Sequence, residues 1–271
     1  MAGKLYVREQ KHICGDDYAS APYMEVDVFE ITAAQHKASA RAKKELATSL
    51  VKDKYNEEAR RRYLNQLVST NFTRKDYSLT LTYAGEHLPA AGDMAQADRD
   101  FSNFIKRLYR YCDKHGIEHP KWVCVTEYST LDEDGKRLGR HHHHAIISRP
   151  AGLEREAIED LWGKGRARCE RLDFEHGSVE GLARYITKNK RCKRNWRQSR
   201  GLKSPKTPRP NDSRWSRKKL KDAFENCLED RAFWEKKFPG YTLHRCEPHI
   251  TGAGTMHLIV KMYRPDRRNQ P

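Results

Sequence analysis

Arg140-His-His-His-His-Ala-Ile-Ile-Ser148 reads as a β-strand with a polar beginning and an apolar end. Side chains alternate across a strand, so four consecutive histidines divide two and two between its faces. Two imidazoles at i and i+2 on one face are a natural pair of metal ligands. Parity allows His141 with His143, or His142 with His144, and excludes mixed pairs. The competing reading is a solvated histidine run; direct entry into Ala145-Ile-Ile147 places the run in a folded strand instead.

Upstream, Trp122-Val-Cys-Val-Thr-Glu-Tyr128 reads as a second strand, joined to the first through the turn Asp132-Glu-Asp-Gly-Lys136. Val123, Val125 and Glu127 share one of its faces. A carboxylate ending an apolar strand face is costly unless a cation compensates it. Glu127 is thus a candidate third ligand, with a water-exposed rim position as the plain alternative. Further upstream, Tyr77-Ser-Leu-Thr-Leu-Thr-Tyr83 is a strand. Residues 98–114 form an amphipathic helix with Phe101, Phe104, Ile105, Leu108, Tyr109 and Cys112 on one face. Gly116 and Pro120 end it. Downstream follow a helix over 154–161, a weaker strand near 166–174 and a helix at about 178–190. The first six elements, β-α-β-β-α-β, have the order of a split βαβ, ferredoxin-like core: an antiparallel sheet with helices on one face.

The expected fold is therefore α+β, with this core over 77–190. An N-terminal extension, 1–76, holds a strand at 23–30 and a helical stretch at 35–70. A C-terminal extension, 191–271, holds a helix near 215–236 and strands at 241–246 and 256–263.

The chain has 271 residues, with 53 Lys+Arg against 37 Asp+Glu, a net charge of +16. No apolar run is long enough for a transmembrane helix, and the first residues lack the pattern of a signal peptide. Seven cysteines stand far apart without a CxxC pair, which argues against a disulfide framework or a zinc finger and for a reducing cytoplasm. The charge is concentrated: residues 184–221 contain 16 Lys or Arg and one acid, Asp212. With Trp196 and Trp215 interleaved, this stretch reads as a nucleic-acid contact that tracks phosphates and offers aromatics for base stacking. Its candidate contacts are Arg184, Arg191, Lys193, Arg194, Trp196, Arg197, Arg200, Arg209, Lys218 and Lys219. Three prolines argue for an extended path between 201 and 212. The alternative is a solvated basic linker.

A third feature is Tyr185-Ile-Thr-Lys188, whose tyrosine and lysine are neighbours on one helical face. Ionising a phenol of pKa about 10 at pH 7 costs about 4 kcal/mol. An ammonium at about 4 Å contributes at most about 4 kcal/mol at an effective dielectric of about 20, before screening. Lysine alone is insufficient to activate the phenol, and a metal would help.

Histidine pair, acid on the neighbouring strand and Tyr-x-x-Lys on a following helix together resemble the HUH endonucleases. The closer resemblance is to rolling-circle replication initiators of bacteriophages, prophages and plasmids. It covers about residues 77–200: Leu79-Thr-Leu-Thr-Tyr83 stands as the first motif, the histidine run as the second and Tyr185-Ile-Thr-Lys188 as the third. The resemblance implies site-specific nicking and joining of single-stranded or extruded origin DNA through a 5′-phosphotyrosine at Tyr185, assisted by Lys188. It implies a Mg²⁺ or Mn²⁺ ion on His142, His144 and Glu127, the register in which apolar residues directly follow the second ligand. That register leaves His143 near the helices, where burial calls for a hydrogen-bond partner. Position 181 is glycine, so the single-tyrosine type is expected. No GxxxxGK[ST] motif occurs, so strand separation would fall to a separate host helicase, and extension of the 3′ end to a polymerase. A single-tyrosine HUH transposase and a non-enzymatic basic nucleic-acid-binding regulator are the alternatives.

Overall fold

The computed structural model describes residues 4–37, 54–174, 179, 196–252 and 254–265. They divide into two compact units: a central one from 71 to 202, and a terminal one of residues up to 70 and from 203 onward. The fold is α+β, with antiparallel sheets in both units.

The terminal unit begins with a hairpin of β1 (Leu5–Cys14) and β2 (Tyr23–Thr32), paired without a break from Leu5↔Thr32 to Cys14↔Tyr23. Helices α1 (Ala33–Lys37) and α2 (Lys54–Asn71) follow. β1 is absent from the sequence reading because its charges obscure the alternation. They are matched by distant groups: Arg8 forms a two-pronged ion pair with Asp212, both bonds at 2.7 Å, and Glu9 accepts from Arg214 and from the Trp215 indole.

The central unit comprises β3 (Tyr77–Thr82), α3 (Met94–His115), β4 (Trp122–Glu127), the small hairpin β5 (Thr130–Leu131) and β6 (Arg137–Leu138), β7 (His142–Ile147), α4 (Arg155–Asp160), β8 (Ala167–Arg171) and β9 (Arg197–Gln198). Its main sheet has the order β8-β3-β7-β4-β9, antiparallel throughout. α3 links β3 to β4 across β7, and α4 links β7 to β8 across β3. Asp93 caps α3 by accepting from the Gln96 N–H, and Gly116 closes it at φ +66°. Tyr77, Leu79, Leu81, Trp122, Cys124, Ala145, Ile147 and Cys169 form one core with Phe101, Phe104, Ile105, Leu108 and Cys112 of α3 and with Ile158 and Trp162. By alternation the opposite face carries Thr80, Val123, Val125, Glu127, His142, His144 and Ile146. Gly165 lets the chain pass the end of β3, because a Cβ there would fall within the backbone of Thr82–Ala84.

After β9 the chain rejoins the terminal unit. α5 (Arg217–Asn226) and α6 (Arg231–Lys237) replace the single helix expected near 215–236. The break falls where Asp230 turns its carboxylate to the Phe233 N–H and starts a second helix. β10 (Thr242–Ile250) and β11 (Met256–Tyr263) complete a sheet of order β1-β2-β11-β10. The two segments read from sequence as separate extensions thus share one sheet through the β2–β11 pairing.

Residues 203–212 are extended, as their prolines demand, and run along β1. Lys206 exchanges backbone hydrogen bonds with Ile13, and Asn211 with Glu9. Proline has no N–H to donate at 208 and 210, so the contact is a strap touching at two points rather than a full strand. It covers the edge of the sheet. No helix among the described residues is long and apolar enough to cross a membrane.

Trp215 departs from the expectation of a stacking platform. It is 4 % exposed, packs with Trp234 and Phe233, and donates its indole N–H to Glu9 at 2.8 Å. Trp215→Ala is expected to lower stability by about 3–5 kcal/mol, as for other large core truncations. Urea denaturation checks this; an unchanged midpoint would return Trp215 to the surface reading.

Candidate metal centre and nucleic-acid contacts

Pairing between β4 and β7 places Glu127 opposite His142, Thr126 opposite His143 and Val125 opposite His144. The side chains of Glu127, His142 and His144 therefore share the sheet face away from α3. His142 Nε2 lies 3.3 Å from one Glu127 oxygen, and His144 Nε2 lies 3.7 Å from the other. The two imidazole rings are 4.9 Å apart and nearly perpendicular. One ligand atom from each of the three residues falls within 4.8 Å of the others. Two imidazoles and a carboxylate are a donor set suited to a divalent cation.

The ring orientations are fixed from behind. His142 Nδ1 is 2.9 Å from the Arg140 carbonyl, and His144 Nδ1 is 3.4 Å from the Thr80 hydroxyl. Both Nε2 atoms are thereby turned toward Glu127, the arrangement in which outer contacts orient metal-binding histidines. Burial, with a smaller push from His142, lowers the His144 pKa to about 4 against the attraction of Glu127. His144 is thus neutral at pH 7, the form that can donate a lone pair to a metal.

The other two histidines of the run have structural work. His143 is fully buried on the core face, 2.9 Å from the Thr126 hydroxyl and 2.9 Å from the Tyr83 hydroxyl. Burial holds its pKa well below the usual range, with Arg197 and the neighbouring histidines acting in the same direction. A neutral imidazole has one donor and one acceptor nitrogen, so the two hydroxyls meet complementary roles. His141 accepts from the Ser129 N–H, and its Nε2 lies 2.9 Å from the Ala90 carbonyl. The need for a His143 partner was legible in the sequence; the identity of Thr126 and Tyr83 was not.

Tyr185, Lys188, Arg184, Arg191, Lys193 and Arg194 lie outside the described residues. Of the remaining basic-segment candidates, Arg200, Arg209, Lys218 and Lys219 are exposed and have no carboxylate partner among the described residues. Trp196 is partly exposed and donates its indole N–H to Gln198. Arg197 differs from the expected free phosphate contact. Its guanidinium bonds the Asp98 carboxylate and carbonyl and the Ser102 hydroxyl, and it covers the Phe101 ring at 5.2 Å. That arrangement ties β9 to α3.

Residues 76–190 match the family model of the replication-associated protein ORF2. The match supports a replication-associated role and covers the segment that holds Glu127, His142 and His144. No curated protein and no solved structure matches the chain.

The histidine pKa shifts set a pH dependence. A depressed pKa means that the unfolded chain binds more protons between about 6.5 and 4, so stability rises with pH across that window. In metal-free buffer, stability is expected to be full above about pH 6.5 and to fall on acidification toward pH 4. His144 alone accounts for about 3 kcal/mol of the loss, at 1.36 kcal/mol per pKa unit. Urea titrations at stepped pH test this, and His144→Asn should show a shallower slope. An unchanged midpoint from pH 7 to pH 4.5 would contradict the burial argument.

Proposed function

We propose that the protein is a rolling-circle replication initiator that nicks and rejoins single-stranded or extruded origin DNA. The observation that carries this reading is the convergence of Glu127, His142 and His144 on one sheet face, within the segment matched by the replication-associated family. These three residues would hold Mg²⁺ or Mn²⁺, which when bound would polarise the scissile phosphate and stabilise its developing charge. The neutral state of His144 supports that assignment.

Tyr185 is the proposed nucleophile. Its phenolic oxygen forms a bond to phosphorus as the bond from phosphorus to the 3′ oxygen breaks. The 5′ phosphate stays on the tyrosine, and the leaving 3′ oxygen takes up a proton to become the hydroxyl that primes synthesis. Lys188 assists at the phosphate or the phenol. The exposed cations Arg200, Arg209, Lys218 and Lys219 are proposed to contact the DNA backbone.

The decisive experiment mixes the protein with single-stranded origin DNA and Mn²⁺ and looks for a covalent adduct. Tyr185→Phe should bind DNA and form none; an undiminished adduct in a folded variant would overturn the assignment. His142→Ala and His144→Ala should lose nicking by at least about 100-fold, consistent with removal of a ligand rather than an outer contact. His141→Ala should retain metal affinity, since His141 serves the Ala90 and Ser129 backbone. A His141 variant more impaired than His142→Ala would shift the ligand register by one.

A separate measurement tests the basic segment. On single-stranded DNA, log affinity should fall with log salt by about 0.7 per phosphate contacted. Reversing the charge of Arg209, Lys218 and Lys219 together should flatten that slope; an unchanged slope would leave the segment as a solvated strap.

A further inference from the structure

The terminal unit contains a second convergence of possible metal ligands, unrelated to the histidine run. Glu247 and His249 are two apart on β10 and therefore share a face, the same i, i+2 geometry that pairs His142 with His144. Glu58 reaches them from α2. One ligand atom from each of the three residues lies within 4.8 Å of the others. The Nε2 atom of His249 is enclosed and has no hydrogen-bond partner among the described residues. Buried imidazole nitrogens are ordinarily satisfied, so this one calls for a ligand.

The neighbouring groups narrow what the ligand can be. His257 lies directly across the β10–β11 pairing from His249, with ring centroids 6.0 Å apart. Its Nε2 is 2.8 Å from Asp27, so it is committed away from the cluster. Glu247 receives Lys261 at 2.9 Å and Arg245 at 3.4 Å on the same oxygen, Oε1. The two carboxylates of the cluster are thus largely balanced by two cations. A hard ion such as Mg²⁺, which depends on uncompensated oxygen charge and dehydrates reluctantly, is poorly served there. An ion that gains from an imidazole nitrogen is better served.

We propose that Glu58, Glu247 and His249 form a second divalent-cation site in the terminal unit, which takes a first-row transition ion such as Zn²⁺. Its ligands come from a helix and from the edge strand β10, so the ion would staple α2 to the sheet. The role is structural and does not depend on the nicking reaction.

Equilibrium dialysis of the whole chain against Zn²⁺ tests the proposal by counting ions. The wild type should bind two per chain. A chain with His142→Ala and His144→Ala should keep one, and in that background Glu58→Gln or His249→Ala should weaken the remaining site by at least tenfold. Glu58→Gln changes one atom type on a helix surface and guards against misfolding of the histidine variant. A zinc-free His142→Ala/His144→Ala chain would overturn the proposal, as would a count unmoved by both Glu58→Gln and His249→Ala. Loss of the ion only from Glu127, His142 and His144 would count against the nicking centre and uphold the second site, so the two failures are separable.

Discussion

The candidate centre depends on the register between β4 and β7. A shift of one residue would send His142 and His144 into the core and bring His141 and His143 to the open face. The contact that resists the shift is the buried bridge from Thr126 to His143 to Tyr83, which links three neighbouring parts of the sheet behind the ligands. Packing of His143 against Phe101 and Trp162 adds shape to that polar lock. A histidine between two ligand histidines is therefore part of the alignment of Glu127 with His142, and not surplus to it.

Much of this was legible because the central unit obeys simple periodicities. Its strands alternate cleanly, and α3 keeps its aromatic residues on one face, so parity alone separates Glu127, His142 and His144 from the core. The terminal unit hides its pattern. β1 contains Arg8, Glu9 and Lys11, and only the folded chain shows that Asp212, Arg214 and Trp215 answer the first two from about two hundred residues away. In the sequence Trp215 reads as a stacking aromatic because its neighbours are lysines and arginines. Its burial depends on Trp234 and Phe233, whose packing beneath it cannot be inferred from local composition.

The basic stretch illustrates how charge in a sequence differs from charge available to a partner. Arg197, Lys203, Arg214, Arg217 and Lys221 each meet a carboxylate within the fold. Asp212, the lone acid of the stretch, is held by Arg8 and His36. Such pairs at the surface contribute little stability individually. Their effect is to fix the path of the strap and leave a smaller set of cations facing solvent. Electrostatic attraction to a polyanion would then come from a defined surface instead of a diffuse tail.

The course of the chain through the two units has a consequence for biosynthesis. β1 and β2 leave the ribosome first, but their sheet is completed only by β11 and β10, more than two hundred residues later. Until then the apolar side of the hairpin, with Val7, Ile13, Val26 and Val28, lacks the helices and strands that bury it in the finished protein. The central unit draws its pairings from a shorter stretch and can fold during that interval. Closure of the terminal sheet is consequently a late, long-range event, of the kind that slows folding and exposes a nascent chain to aggregation. Truncation near the C-terminus would strand the N-terminal hairpin as well as remove the last strands.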